Sequence, residues 1–142
     1  EMGALRGSIT NGGGNQVGFL GECLVSSFFK TPFNNTYEYD FILPNGETID
    51  VKTKTTTVVP RSDYDCSVAA WNKSQACDYY VFTRVKKSLD KGWILGYLPK
   101  DTYYKEAVKL KKGEVDPSNN FTVKSDCYNV KINQLFDINN LK

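Results

Sequence analysis

The order of periodic segments predicts an α/β protein, a sandwich built on a mixed central β-sheet flanked by helices. Three observations carry that prediction. A segment with helical spacing comes first, over residues 15–31. Two extended runs follow, joined by a Pro-Asn-Gly turn, in "YDFILPNGETIDVKTKTTT" from Tyr39 to Thr57. A shorter helical segment, two more extended runs and a last helix complete the order helix, strand, strand, helix, strand, strand, helix. This is not the strict alternation of a dinucleotide-binding fold, and neither GxGxxG nor GxxxxGK[ST] occurs.

Each element has its own reason. Residues 1–14, "EMGALRGSITNGGG", are polar and glycine-rich and read as a flexible lead-in; they lack the basic-then-apolar layout of a signal peptide. Val17, Leu20, Leu24 and Phe28 then fall at i, i+3, i+7 and i+11, one apolar stripe of a helix. Asn15 caps it, Pro32 closes it, and Glu22 lies off the stripe. Residues 37–43 form a first strand and residues 47–55 answer it across "PNG" as the second arm of a hairpin. Residues 58–67 are irregular, and "VAAWNKSQAC", 68–77, is a short helix. "DYYVFTRV" is a buried strand, dense in β-branched and aromatic residues, followed by the charged turn "KKSLDKG" and the strand "WILGYLP". "KDTYYKEAVKLKK" reads as a helix with Tyr104, Ala107 and Val108 on one side and Gly113 stopping it. The Asn- and Asp-rich tail holds edge strands in "NFTVKS" and "DCYNVKI". No repeat or linker divides the 142 residues, so one domain is expected, with a core over about 15–98 and a C-terminal addition over 99–142.

Composition narrows the chemistry. Hydrophobic residues are 40% and charged residues 24%, enough for a packed core and too apolar for a disordered chain. With a net charge of +2, a nucleic-acid binder would need its Lys and Arg gathered on one face. No apolar run approaches the ~20 residues of a membrane span, so no membrane partner is expected. Cys23, Cys66, Cys77 and Cys127 are far apart with no CxxC pair, which fits reduced thiols in a cytoplasmic protein better than a disulfide framework. That spacing and the polar N-terminus also argue against a secreted, Asn-rich binding domain, and the sequons at Asn34, Asn72 and Asn120 are chance. The chain has no histidine, which excludes Ser-His-Asp and Cys-His hydrolases and His-ligated zinc or iron. An enzyme here must use carboxylates, Lys, Tyr, Cys or a metal held by oxygen.

The hairpin supplies such a set. Alternate residues of a strand share a face, so Asp50, Lys52 and Lys54 lie opposite Ile49, Val51 and Thr53. In the first arm Glu38, Asp40 and Ile42 share a face. Pairing the arms sets Asp40 beside Asp50, with Lys52 two residues on. Two adjacent carboxylates repel and lose solvation. A hard divalent cation relieves both penalties; Mg²⁺ is typically held by one or two carboxylates, waters and substrate phosphate. The Lys52 ammonium would lie within reach of that phosphate, a layout suited to phosphodiester hydrolysis. The plain alternatives are a solvated Asp50–Lys52 ion pair worth ~0–1 kcal/mol and, for Glu22, an ordinary polar position on the outer face of a helix. Lys54, Arg61 and Lys73 lie near in sequence and are candidate phosphate contacts, and Gln75 on the second helix could reach the same site.

"YD", nine residues, then "DVK" resembles the PD-(D/E)xK signature of the restriction-endonuclease-like nuclease superfamily, with Tyr39 in the place of the proline. The upstream "GFLGE", Gly18–Glu22, resembles the resolvase and phage-nuclease branches of that superfamily. The resemblance covers roughly residues 15–98. It implies a restriction-endonuclease-like sandwich and a Mg²⁺- or Mn²⁺-dependent DNA endonuclease that uses a metal-activated water. Carried over residue by residue, it makes Asp40, Asp50 and the main-chain carbonyl of Val51 metal ligands and Lys52 the catalytic lysine. Glu22 would join the metal directly or through water. The resemblance further implies DNA as partner, a homodimer, and the cytoplasm of a prokaryotic or phage-infected cell. The competing expectation is a non-catalytic nucleic-acid-binding or assembly module on the same fold. Such a module would be free to lose Asp40, Asp50 or Lys52, and all three are present.

Overall fold

The computed structural model describes residues 13–142 except 33, 35, 37, 118 and 119, and only the backbone of 13–15. Residues 1–12 of the lead-in and Tyr37 of the first strand therefore lie outside the described residues. Helix α1 spans Gly13–Phe29, followed by strands β1 (Phe41–Ile42), β2 (Thr48–Thr56) and β3 (Asp65–Ala69). A 3-10 turn, Ala70–Ser74, leads to β4 (Tyr79–Lys86), β5 (Gly92–Pro99), helix α2 (Lys100–Glu106), β6 (Val108–Leu110) and β7 (Cys127–Lys131).

The chain is a mixed α/β structure. Its main sheet runs β1-β2-β4-β5, with β2 and β4 parallel and both outer pairings antiparallel. The second sheet, β3-β7-β6, is antiparallel. Alternation along the central strand β4 feeds both faces: Val81 packs with Val25, Phe41, Ile49 and Tyr97 on one side. Tyr80 and Phe82 pack with Val68, Leu98, Tyr103 and Val130 on the other. Burial on both faces is why "YYVFTRV" is nearly continuously apolar.

The "PNG" hairpin, β4 and β5 form as the sequence indicates, and Gly46, at φ 90°, supplies the left-handed residue of the turn, where its N–H bonds the Leu43 carbonyl at 2.8 Å. Four elements differ. The first strand is paired only at Phe41–Ile42. Residues 68–77 are not a helix; Cys66 and Val68 alternate into the core as β3 pairs with the distant β7, and only the 3-10 turn coils. The last predicted helix ends at Glu106, because Val108–Leu110 pairs with β7. Finally, "DCYNVKI" makes the central strand of its sheet rather than an edge, while "NFTVKS" forms no strand beyond a Thr122–Val115 bridge.

Helix α1 is also rotated from the expected stripe and starts at Gly13, ahead of the expected Asn15 cap. Its buried line is Val17, Gly21 and Val25, whereas Leu20, Leu24 and Phe28 are half-buried. The cause is Gly21. A Cβ there would overlap Thr53 Oγ1 and come within 2.6 Å of Thr83 Oγ1. Only a residue without a side chain lets the helix lie this close to β2 and β4. The helix closes on Lys30, at φ 54°, with Pro32 beyond it.

Candidate active site

The hairpin register pairs Phe41 with Ile49 and Ile42 with Thr48, and one step further the Asp40 N–H bonds the Ile49 carbonyl at 2.8 Å. Asp40 and Asp50 thus meet, both buried, at 8% and 5% exposure. Their carboxyl groups lie close enough to share a proton. An ionised carboxylate only accepts, so this contact requires a proton between them or a cation in its place. Asp40 Oδ2 also accepts the Val51 N–H at 2.7 Å, which ties the first carboxylate to the strand that bears the second. Burial, then the Asp50 charge, then that of Glu22 push the Asp40 carboxyl well above the usual carboxylate range. Burial also raises Asp50, and Lys52 pulls it back.

Lys52 is clamped in this corner. Its Nζ lies 2.8 Å from Asp50 Oδ2, donates to Gln75 Oε1 at 3.1 Å, and sits 5.5 Å from the centre of the Tyr80 ring. Gln75 is 3% exposed, hydrogen-bonds Asp50 as well, and offers its carbonyl to Lys100 Nζ. It thereby joins the site as a buried bracket, placed by a 3-10 turn and not by the expected helix. It follows a 3-10 turn whose position depends on β3, which is why spacing alone undervalued it.

Glu22 arrives from α1. Because Gly21 brings the helix against Thr53 and Thr83, the next side chain feels the Asp50 charge; burial and that charge push the Glu22 carboxyl up to about 7. Its Oε1 is buried and, among the described residues, has no hydrogen-bond partner. A buried acceptor left without a donor is costly and marks a place for a ligand.

These features fit a divalent cation. Among the described residues no three Asp, Glu, Cys or His side chains form a metal cage by themselves. The paired carboxyls of Asp40 and Asp50 supply two hard oxygen donors, and the orphaned Glu22 oxygen stands within their electrostatic reach. That donor set suits Mg²⁺ or Mn²⁺, which keeps waters and takes a phosphate oxygen.

The other sequence candidates lie elsewhere. Lys54 donates to Ser67 Oγ at 3.0 Å and Arg61 pairs with Asp63 at 3.1 Å; both line a cavity of about 780 Å³ beside the second sheet. Lys73 lies over the rings of Tyr104 and Tyr128, away from that cavity. Sequence reasoning overlooked Arg84, which pairs in register with Lys54. Its signal was the one cation inside the apolar run "YYVFTRV", unreadable until the β2–β4 pairing is known. The four cysteines are free thiols.

A comparison with models of known protein families finds no match, and none of the curated proteins matches the chain. Among the described residues no helix is long and apolar enough to cross a membrane.

Proposed function

We propose that this protein is a metal-dependent DNA endonuclease with a restriction-endonuclease-like fold. The observation that carries the reading is the buried Asp40–Asp50 pair with Lys52 held at 2.8 Å from Asp50. The hairpin that bears the pair, the parallel strand β4 beside it and a helix across the sheet support the family resemblance.

In this reading Asp40, Asp50 and the Val51 carbonyl would hold Mg²⁺ or Mn²⁺, and Glu22 would join directly or through water. The bound cation supplies Lewis acidity, lowering the pKa of water and offsetting charge on the phosphate oxygens. The chain's own residues do the placing. Asp40 and Asp50, brought together by the hairpin, would hold the cation beside Lys52. Lys52 orients the attacking water or offsets the charge that develops on phosphorus oxygens. Gln75 accepts a second hydrogen bond from the lysine at 3.1 Å and so fixes the direction of its ammonium. Water attacks phosphorus in line, the P–O bond to the 3′ oxygen breaks, and that oxygen takes up a proton. The products carry a 5′-phosphate and a 3′-hydroxyl.

The test is a cleavage assay with EDTA, Mg²⁺ or Mn²⁺ on supercoiled plasmid, linear duplex, single strand, flap and four-way junction. Wild type should cut at least one of these only with metal, and Asp50→Asn should not cut while keeping the wild-type circular dichroism spectrum. Full activity in Asp50→Asn sinks the proposal. DNA binding without any cutting moves the reading to a non-catalytic nucleic-acid-binding module. Size-exclusion chromatography with light scattering tests the proposed homodimer.

A further inference from the structure

Two cations stand side by side on the face of the main sheet that bears Asp50 and Lys52. Lys54 on β2 pairs in register with Arg84 on β4, so the two side chains project together. Like charges directly opposite on neighbouring strands are destabilising. Desolvation and then the Arg84 charge lower the Lys54 pKa, with Asp65 opposing them, while the Lys54 side chain stays exposed at the cavity. The hydrogen bonds from the pair go to neutral oxygens: Lys54 to Ser67 Oγ, and Arg84 Nη2 to the Asp65 carbonyl at 2.8 Å. Arg84 Nε is buried and, among the described residues, has no partner at all. Tyr64 holds the guanidinium in place, with its ring centre 5.0 Å from Arg84 Cζ and 5.7 Å from Arg61 Cζ. Both Lys54 and Arg84 line the cavity of about 780 Å³, whose lining also carries Arg61 paired with Asp63, Lys131 paired with Asp65, and Asp116.

We infer that this cavity is a phosphate-binding subsite for the backbone of a nucleic-acid strand, distinct from the place where cleavage would occur. The Lys54–Arg84 pair lines it, and a phosphodiester there would supply the counter-charge to the two adjacent cations. The planar guanidinium suits phosphate, and the neighbouring ammonium adds charge without demanding a geometry. Lys54 lies four residues along β2 from Asp50, about 13 Å at the usual rise of a strand. That distance exceeds the step between successive nucleotides, so the subsite holds a phosphate beyond the scissile one. The identity of the ligand rests on the nuclease reading; the preference for an anion rests on two adjacent cations that share the single carboxylate of Asp65, itself paired with Lys131.

The subsite is tested by binding in EDTA, where cleavage plays no part. A fluorescein-labelled 20-nucleotide single strand and the matching duplex serve as probes, with anisotropy recorded across a salt series. Each phosphate contact contributes about 0.7 to the log–log salt slope for a single strand and about 0.9 for a duplex. Lys54→Gln and Arg84→Gln should each flatten the slope by about one contact for the same probe, and Arg84→Lys should restore part of it. Asp50→Asn should leave the slope unchanged or steeper. Thermal melts identify any variant that fails to fold, and Lys54→Gln removes only a charge and one bond to Ser67. Unchanged slopes in both charge-removing variants overturn the subsite. Failure of the nuclease reading is recognised separately, as flattened slopes without metal-dependent cutting by wild type.

Discussion

Strand β2 contributes one member to each of two pairs of like charges along one face, Asp50 beside Asp40 and Lys54 beside Arg84, and the two ends handle the repulsion differently. At one end Asp40 and Asp50 lie close enough to share a proton and have Lys52 beside them. At the other, Lys54 and Arg84 lean on neutral oxygens. A carboxylic acid can take up a proton and remove its own charge, whereas a guanidinium cannot lose one in any ordinary condition. The acidic end can therefore wait for its counter-ion in a neutralised form, and its state depends on pH. The basic end keeps the Arg84 charge at every pH of interest, so salt and bound anions govern it.

The largest expected effect removes the acidic end's chemistry outright. Asp50→Asn and Lys52→Ala should each lower metal-dependent cleavage by at least about a hundredfold, with Tm unchanged or raised for Asp50→Asn because one member of a repelling pair is gone. Next in size is Gly21→Ala. The added methyl overlaps the Thr53 hydroxyl and must push α1 off the sheet, at a cost of about 1–3 kcal/mol. Because Glu22 follows it, that variant should also weaken metal binding, read by calorimetric titration with Mn²⁺. A Gly21→Ala variant as stable as wild type would show that the helix is free to shift.

A smaller effect separates the two ends by pH. Glu22 has its carboxyl raised from 4.5 to about 7, so between those values the unfolded chain releases a proton that the folded chain retains. Stability from this group is fully present below pH 4.5 and is lost as pH rises through 7. Glu22→Gln should accordingly stabilise the fold by about 1–2 kcal/mol at pH 8 and hardly at all at pH 4, measured by urea unfolding. Mg²⁺ should raise Tm more at pH 8 than at pH 5, since it competes with protons for the same carboxyls. The smallest effect is at the basic end. Lys54→Gln should change stability by less than about 1 kcal/mol at low salt, in the stabilising direction, and the change should vanish as salt rises.

The contrast between the ends also separates what could be read in the sequence from what could not. The acidic end belongs to a hairpin, where a two-residue period and a Pro-Asn-Gly turn settle which residues face each other. Asp40, Asp50 and Lys52 were therefore placed together from spacing alone. The basic end depends on β2 lying parallel to β4, a pairing across some thirty intervening residues that no local pattern encodes. Lys54 was legible as a cation near the motif, but its neighbour Arg84 was hidden inside a run whose apolar character pointed to the core. The same limit explains β3. Residues 65–69 alternate weakly, and only β7, from the far end of the chain, makes a strand of them. For α1 the stripe was misplaced because periodicity weighs large apolar side chains, while the closest approach to the sheet is at the residue with none.

The crossover from β2 to β4 passes through a strand of the second sheet instead of a helix. The parallel pairing that brings Gln75 to Lys52 therefore closes only alongside contacts with the C-terminal β7. Such non-local closures are slow steps in the search for the native state. Secondary structure in α1 and the hairpin, with Asp40, Asp50 and Lys52 on it, can form early from local contacts, but Gln75 lies on the crossover between β3 and β4 and comes from outside the hairpin. A chain still emerging from the ribosome, without β7, has the hairpin but lacks the partner strand of β3, which leads into that crossover.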